Sequence, residues 1–334
     1  MKTSLVFGCN GQDGSYLSEL LLKKNYKVIG VKRRSSTNTL GRLDSIIENE
    51  NFSVLEGDIV DPSSVNCLIK ESQPDEIYNL SAQSHVHTSF SQPLYTFQVN
   101  ALGVIHILEA VRNYSPKSKV LTASTSELWG SNYNVSQDGK IKYQDESTQF
   151  SPNSPYAVAK LAAHELIRIY RDAYSLFTCA AISFNHESPR RGEEFVTRKI
   201  TQWVGRFVQS GRDKNFPLLR LGNIDAVRDW SHAKDMVRGM WMMLQQDIPK
   251  EYVLCSGKGY SVREFLDLAF SFIDILDWSP YVVIDPQFYR PCEVEFLQGR
   301  YNLAKQELGW EPQISFEELV QEMVSYDIEI EKNK

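Results

Sequence analysis

Thr3-Ser4-Leu5-Val6-Phe7-Gly8-Cys9-Asn10-Gly11-Gln12-Asp13-Gly14 is a short apolar run that breaks directly into three glycines. A run of that length ending in a turn signal reads as a buried strand, and Tyr16, Leu17, Leu20, Leu21 and Leu22 then recur at helical spacing. Strand, glycine-rich turn, helix suits a nucleotide. Gly8, Gly11 and Gly14 let the backbone turn tightly and approach a pyrophosphate whose charge sits at the helix N-terminus. The spacing is G-x-x-G-x-x-G rather than G-x-G-x-x-G, so a plain tight turn is the competing reading.

Working outward, Lys27–Val31 reads as a second strand, and Lys32-Arg33-Arg34-Ser35-Ser36 follows it without a carboxylate. An acidic residue there would take the ribose 2′-hydroxyl of NAD, whereas arginine suits the 2′-phosphate, so NADP is expected. The alternative is a solvated basic turn. Phe52–Leu55 reads as a third strand. Asp58 after it either accepts from an adenine amino group or caps the helix that opens near Pro62. Glu76–Leu80 is a fourth strand, and the small residues Ser81, Ala82, Gln83 and Ser84 at its end leave room for a cofactor. His85 and His87 have no third ligand near them in sequence, so no metal is expected. A helix over about Tyr95–Tyr114 leads to the strand Lys119–Ala123 and then to Ser124-Thr125-Ser126-Glu127. A hydroxyl and a carboxylate at a strand's carboxyl end point into the crevice of a doubly wound sheet. The polar stretch 131–151 reads as a loop.

Ser154-Pro155-Tyr156-Ala157-Val158-Ala159-Lys160 then opens a helix, with Ser154 as N-cap and Pro155 at the first helical position. Tyr156 and Lys160 fall on one face. A phenol is a weak base, with a reference pKa of about 10, and a neighbouring ammonium favours its phenolate. Such a pair can take a proton from a sugar hydroxyl, although Y-x-x-x-K also arises by chance. The expected fold is α/β, a Rossmann-type doubly wound parallel sheet with a smaller, mixed α/β C-terminal substrate domain. The boundaries expected are 1–182 for the NADP-binding unit, with 222–250 returning to it, and 183–221 with 251–334 for the substrate unit.

Composition narrows the class. A net charge of −6 over 334 residues gives no electrostatic footprint for nucleic acid. No run of apolar residues approaches the roughly 18 of a membrane span, and the apolar run Leu5–Phe7 is too short for a signal peptide. The five cysteines are scattered without C-x-x-C spacing and read as free thiols of a reducing cytoplasm.

The blocks GQDGSYL (11–17), RRSS (33–36), AQSHV (82–86), STSEL (124–128) and SPYAVAK (154–160) resemble the extended short-chain dehydrogenase/reductases, and within them the GDP-mannose 4,6-dehydratase family. SFNHESPRRGEEFVTRKIT (183–201), LGNIDAVRDWSHAKD (221–235) and FYRPCEVEFLQG (288–299) extend the likeness through the second half. Ser231 departs from the family's glycine, loop 131–150 is longer, and the region around 274–284 is shorter.

That resemblance implies an NADP-dependent hydro-lyase acting on a GDP-sugar. Its catalytic residues would be Thr125, Glu127, Tyr156 and Lys160. NADP(H) would be held tightly by Gly8, Gly11, Gln12, Asp13, Gly14, Arg33, Ser35, Ser36, Asp58, Ile59, Leu80, Ser81, Ala82, Gln83, Ser84, Tyr95, Lys160, His186 and Arg191. Ser84, Asn185, Glu187, Lys199, Arg228, Arg290 and Glu293 would contact the substrate. The resemblance also implies a homo-oligomer, dimer or tetramer with the tetramer favoured. The chemistry explains Glu127: once C4 is a ketone the C5 proton is acidic, and a carboxylate can remove it and assist loss of the C6 hydroxyl. A simple reductase or epimerase has no use for that carboxylate. A GDP-heptose dehydratase has the same use for it, and a cofactor-binding sensor would lose Tyr156 or Lys160.

Overall fold

The chain's apolar runs become a parallel sheet because both faces of each strand are covered. The computed structural model describes residues 1–289 and 292–333. In chain order the strands are β1 (Thr3–Phe7), β2 (Lys27–Lys32), β3 (Phe52–Glu56), β4 (Glu76–Asn79), β5 (Lys119–Ala123), β6 (Asn134–Val135), β7 (Lys142–Tyr143) and β8 (Thr178–Ser183). They continue as β9 (Asn185–Glu187), β10 (Leu219–Leu221), β11 (Val227–His232), β12 (Tyr252–Leu254), β13 (Gly259–Ser261), β14 (Val282–Ile284) and β15 (Phe296–Leu297).

Seven of these form one sheet in the order β12-β8-β5-β4-β1-β2-β3. Val6, Val28, Tyr78 and Leu121 pack on one face against the helices Gln12–Lys23 and Ala233–Leu244. Leu5, Phe7, Ile29, Val31 and Ile77 pack on the other against Pro62–Ser72 and Gly103–Tyr114. Two buried faces explain why the strands read as continuous apolar runs rather than alternating ones. The chain steps from β1 outward to β3 and restarts on the other side at β4, so a crevice opens beyond the carboxyl ends of β1 and β4.

The second unit is built on β11, which pairs with β9 and β15 in parallel and with β13 antiparallel. Its core joins Trp203, Phe207, Phe265, Phe270 and Phe316 from the helices Val196–Gln209, Val262–Ser271 and Phe316–Lys332. Residues 233–244 pack in one core with Tyr16 and Leu17 of the first unit. Contact with that unit extends further than expected. Tyr252–Leu254, assigned from sequence to the substrate unit, is hydrogen-bonded to β8 as the last strand of the main sheet. Three residues carry too little pattern to reveal which sheet they join.

Two other expectations change. Stretch 131–151 is not a plain loop: β6 and β7 form a hairpin, buried Gln144 bridges to Gly299, and Glu146 Oε1 accepts the Val253 amide at 2.8 Å. Pro93–Tyr114, with a π-type turn over Gln98–Leu102, is long and apolar enough to cross a membrane by length and composition. Of its most apolar window 56% is buried, the position of a core helix.

Candidate active site

The glycines of the first turn are fixed by contact. Gly8 has φ +79°, and a Cβ there would lie 3.1 Å from the Leu80 carbonyl carbon and the Ser81 nitrogen, at the point where the sheet order reverses. A Cβ on Gly14 would come within 2.2 Å of the Gly8 oxygen, so the helix Gln12–Lys23 can seat on its own turn only if that residue is glycine. Gly11 caps this helix without any side-chain hydrogen bond, leaving its first amides directed at the crevice.

The crevice is a cavity of about 1130 Å³ between the two units. Its walls carry Gly8, Gly11, Gln12, Asp13, Gly14, Arg33, Ser35, Asp58, Ile59, Leu80, Ser81, Ala82, Gln83, Ser84 and Tyr95 from the first unit. Thr125, Glu127, Tyr156 and Lys160 line it too, as do His186, Arg191, Asn185, Glu187, Lys199, Arg228 and Glu293 from beyond residue 183. Among the described residues, Ser36 is the one expected contact off this wall: it is exposed at the tip of the turn. Arg290 lies outside the described residues.

Asp58 had two readings, and the helix Pro62–Ser72 removes one of them. Its cap is Asp61, whose carboxylate accepts the Ser63 amide at 2.9 Å, which leaves Asp58 on the cavity wall. His85 Nδ1 shares a hydrogen bond with the Thr88 hydroxyl at 2.8 Å. Among the described residues no group of three or more His, Cys, Asp or Glu could hold a metal ion.

The reactive groups come from two neighbouring elements. Ser154 accepts the Ala157 amide at 3.1 Å and starts the helix Pro155–Tyr174, which directs Tyr156 and Lys160 inward. Beyond β5, Thr125 accepts the Glu127 amide at 3.2 Å and opens a short 3-10 turn, so Thr125 and Glu127 both reach the wall. The fully buried Trp129 anchors that turn by donating to the Thr148 carbonyl at 3.1 Å.

The charge balance differs from the one expected. Burial pushes the Tyr156 phenol up to about 12, opposed by a hydrogen bond with Thr125. Burial likewise pushes Lys160 down to about 8, opposed by the Asp13 carboxylate. The lysine ammonium donates to the Ala123 carbonyl at 2.9 Å, so in this geometry its charge serves the end of β5 rather than the phenol.

On the opposite wall Arg228 pairs with Glu293 at 3.0 Å, and the Lys199 ammonium lies 4.6 Å from the centre of the Phe288 ring. Glu187 is almost fully buried and is engaged by Thr197 and by Arg191, 3.1 Å away. Next to Arg228, the fully buried Asp229 accepts from Ser256 N and Oγ, Gly257 N and Gly299 N, clipping three segments behind this wall. Sequence reasoning missed Asn10, Thr39, Arg42 and Arg190 at the glycine-turn end. Arg42 donates to the Arg190 carbonyl at 2.9 Å.

The family model for GDP-mannose 4,6 dehydratase matches residues 5–323. The chain belongs to that family. A GDP-mannose 4,6-dehydratase of Vibrio cholerae is 45% identical over 98% of this chain and 94% of its own length. GDP-mannose 4,6 dehydratase 2 of Arabidopsis thaliana is 46% identical over 100% and 88%. Among solved structures, dTDP-glucose 4,6-dehydratase of Bacillus anthracis in complex with NAD superposes with a TM-score of 0.84, at 23% identity over 99% of this chain and 98% of that one. Membership makes this chain an enzyme of the hydro-lyase class, on the extended short-chain dehydrogenase fold.

Proposed function

We propose that the protein converts GDP-D-mannose to GDP-4-dehydro-6-deoxy-D-mannose and water with the help of NADP. The observation that carries this reading is the convergence of Thr125, Glu127, Tyr156 and Lys160 on one cavity with the glycine turn. The cradle fits a dinucleotide: Gly8 and Gly14 leave no room for a Cβ, and the uncapped amides beyond Gly11 supply donors for a pyrophosphate. Bound there, NADP would supply a hydride acceptor for C4 and a donor for C6 and would be regenerated in each turnover. NADP rather than NAD is favoured by Arg33, Arg34 and Ser35 on the wall where an NAD enzyme carries a carboxylate.

In this reading Tyr156 accepts the proton of the C4 hydroxyl, with Thr125 bonded to the same oxygen, and Lys160 turns its ammonium from the Ala123 carbonyl toward the phenol as the reaction proceeds. Glu127 takes the C5 proton made acidic by the C4 ketone and delivers it to the departing C6 hydroxyl, which leaves as water; as C6 receives the hydride, C5 takes up the proton that Tyr156 removed from the C4 hydroxyl. Asn185, Lys199, Arg228 and Glu293, together with Arg290, would hold the nucleotide, arginine being suited to grip a diphosphate.

Glu127→Gln is the decisive test. Loss of water from GDP-mannose, followed by mass spectrometry, should fall by about a thousandfold while C4 oxidation persists. Undiminished dehydration would refute the assignment. Water loss from a GDP-heptose but not from GDP-mannose would move the substrate and keep the mechanism.

A homo-oligomer, tetramer favoured, is supported by Leu94, Phe97, Leu102 and Val158, apolar residues exposed on neighbouring helices. A single-chain mass by sedimentation at micromolar concentration would count against it. Five unpaired thiols fit a cytoplasmic setting.

A further inference from the structure

Gln12 and Asp13 do more than open the first helix. Both side chains leave it and cross to one short segment of the second unit. Gln12 donates to the His186 carbonyl at 3.0 Å and accepts from the Ser188 hydroxyl at 2.8 Å. Asp13 Oδ2 lies 2.8 Å from His186 Nε2. The other ring nitrogen, Nδ1, lies 2.7 Å from the Phe184 carbonyl oxygen.

A carbonyl and a carboxylate only accept, so both nitrogens of His186 must donate, and only the doubly protonated ring does so. The ring has no donor left for a ligand. The resemblance suggested a direct contact between His186 and the cofactor, and the geometry points elsewhere.

We propose that Asp13 is a positioning residue: it holds His186 as an imidazolium and thereby locks the segment 186–191 against the glycine-rich helix on the cofactor side of the cavity. The inference rests on the cofactor reading above. Segment 186–191 carries Arg191 and Glu187, both on the cavity wall, so its position sets theirs. The charged groups around the ring are Asp13 on its helix and Arg191 beside it, with Glu187 paired to Arg191. Lys160 and Tyr156, on the helix Pro155–Tyr174, feel the same Asp13 charge. Burial works against the imidazolium, yet Asp13 outweighs it: His186 is held above its ordinary range and Asp13 below its own.

The test needs no sugar substrate. Ring-nitrogen NMR of histidine-labelled protein, with His186→Gln for assignment, should show His186 holding both ring protons to a higher pH than a free histidine does. A wild-type midpoint near 6.5, the value of a free histidine, overturns the proposal. In Asp13→Asn the midpoint should fall to about that value. NADP dissociation constants from calorimetry should then match wild type near pH 6 and weaken about tenfold as the pH rises through that lowered midpoint, while wild type holds its affinity to higher pH.

A loss of affinity in Asp13→Asn that is the same at every pH would mean a merely structural role and would also overturn it. Should Asp13→Asn fail to fold by thermal unfolding, His186→Gln, which carries no charge, must bind NADP weakly and independently of pH. Failure of wild type to bind NADP at all would sink the cofactor reading instead, leaving the ring titration to judge the pair.

Discussion

The two walls of the cavity are built by different means. The wall from the first unit is set by backbone. Gly8 and Gly14 are held by main-chain atoms at 3.1 and 2.2 Å from where a Cβ would stand, and no side-chain choice elsewhere could relieve that contact. The wall from the second unit is set by side chains reaching across long sequence gaps: Arg228 to Glu293, Arg220 to Asp285, and Asp229 to residues 256, 257 and 299. The first kind of wall is rigid and recognisable from a few residues. The second can change its specificity by exchanging pairs.

The contrast can be broken from either side. Gly14→Ala should be the harsher change, costing about 3 kcal/mol through overpacking against backbone and abolishing NADP binding, read by denaturant unfolding and calorimetry. A cost no greater than that of a surface substitution would mean the turn yields, and the first wall is not backbone-set. Asp229→Asn should cost about 2 kcal/mol, because the amide presents hydrogens to at least one of the donors now satisfied. It should raise KM for the nucleotide-sugar more than it weakens NADP binding. Equal loss on both ligands would show that the walls are not separable.

The smallest effect concerns a junction between the units. His232, fully buried, accepts the Lys234 amide on Nδ1 and donates from Nε2 to Glu322 at 2.9 Å. That hydrogen bond, followed by the hydrogen bond and charge of Lys234, brings the Glu322 carboxyl down to about 2 from its usual 4.5. A carboxyl held low in the folded state stabilises it above pH 4.5, and that contribution is lost as the pH falls from 4.5 toward 2. Glu322 is 37% exposed, so solvent screens the effect. Glu322→Gln should lower the unfolding midpoint slightly at neutral pH and leave it unchanged below about pH 2. A difference that grows on acidification would show that another group is responsible.

This division also explains what could be read from sequence. β1, the glycine turn, the Ser154 cap and the Tyr156–Lys160 face were legible because each is decided within about one turn of chain. The choice between Asp58 and Asp61 as helix cap was not, since both stand before Pro62 and only backbone direction separates them. Tyr252–Leu254 was misassigned because its partner, β8, lies some 70 residues earlier. The pairing of Asp13 with His186, 173 residues apart, leaves no local trace. Even the balance at Tyr156 escaped prediction, since burial rather than the neighbouring lysine dominates it.

The hairpin stretch 131–151 has a consequence for how copies of this chain can meet. β12 is the last strand of the sheet, and the amide of its central residue, Val253, faces away from β8. An unclaimed amide there would invite another molecule to add its own strand and continue the sheet. Glu146 occupies that amide with a charged side chain from the chain itself. A strand added at this edge would have to displace Glu146 from the Val253 amide first.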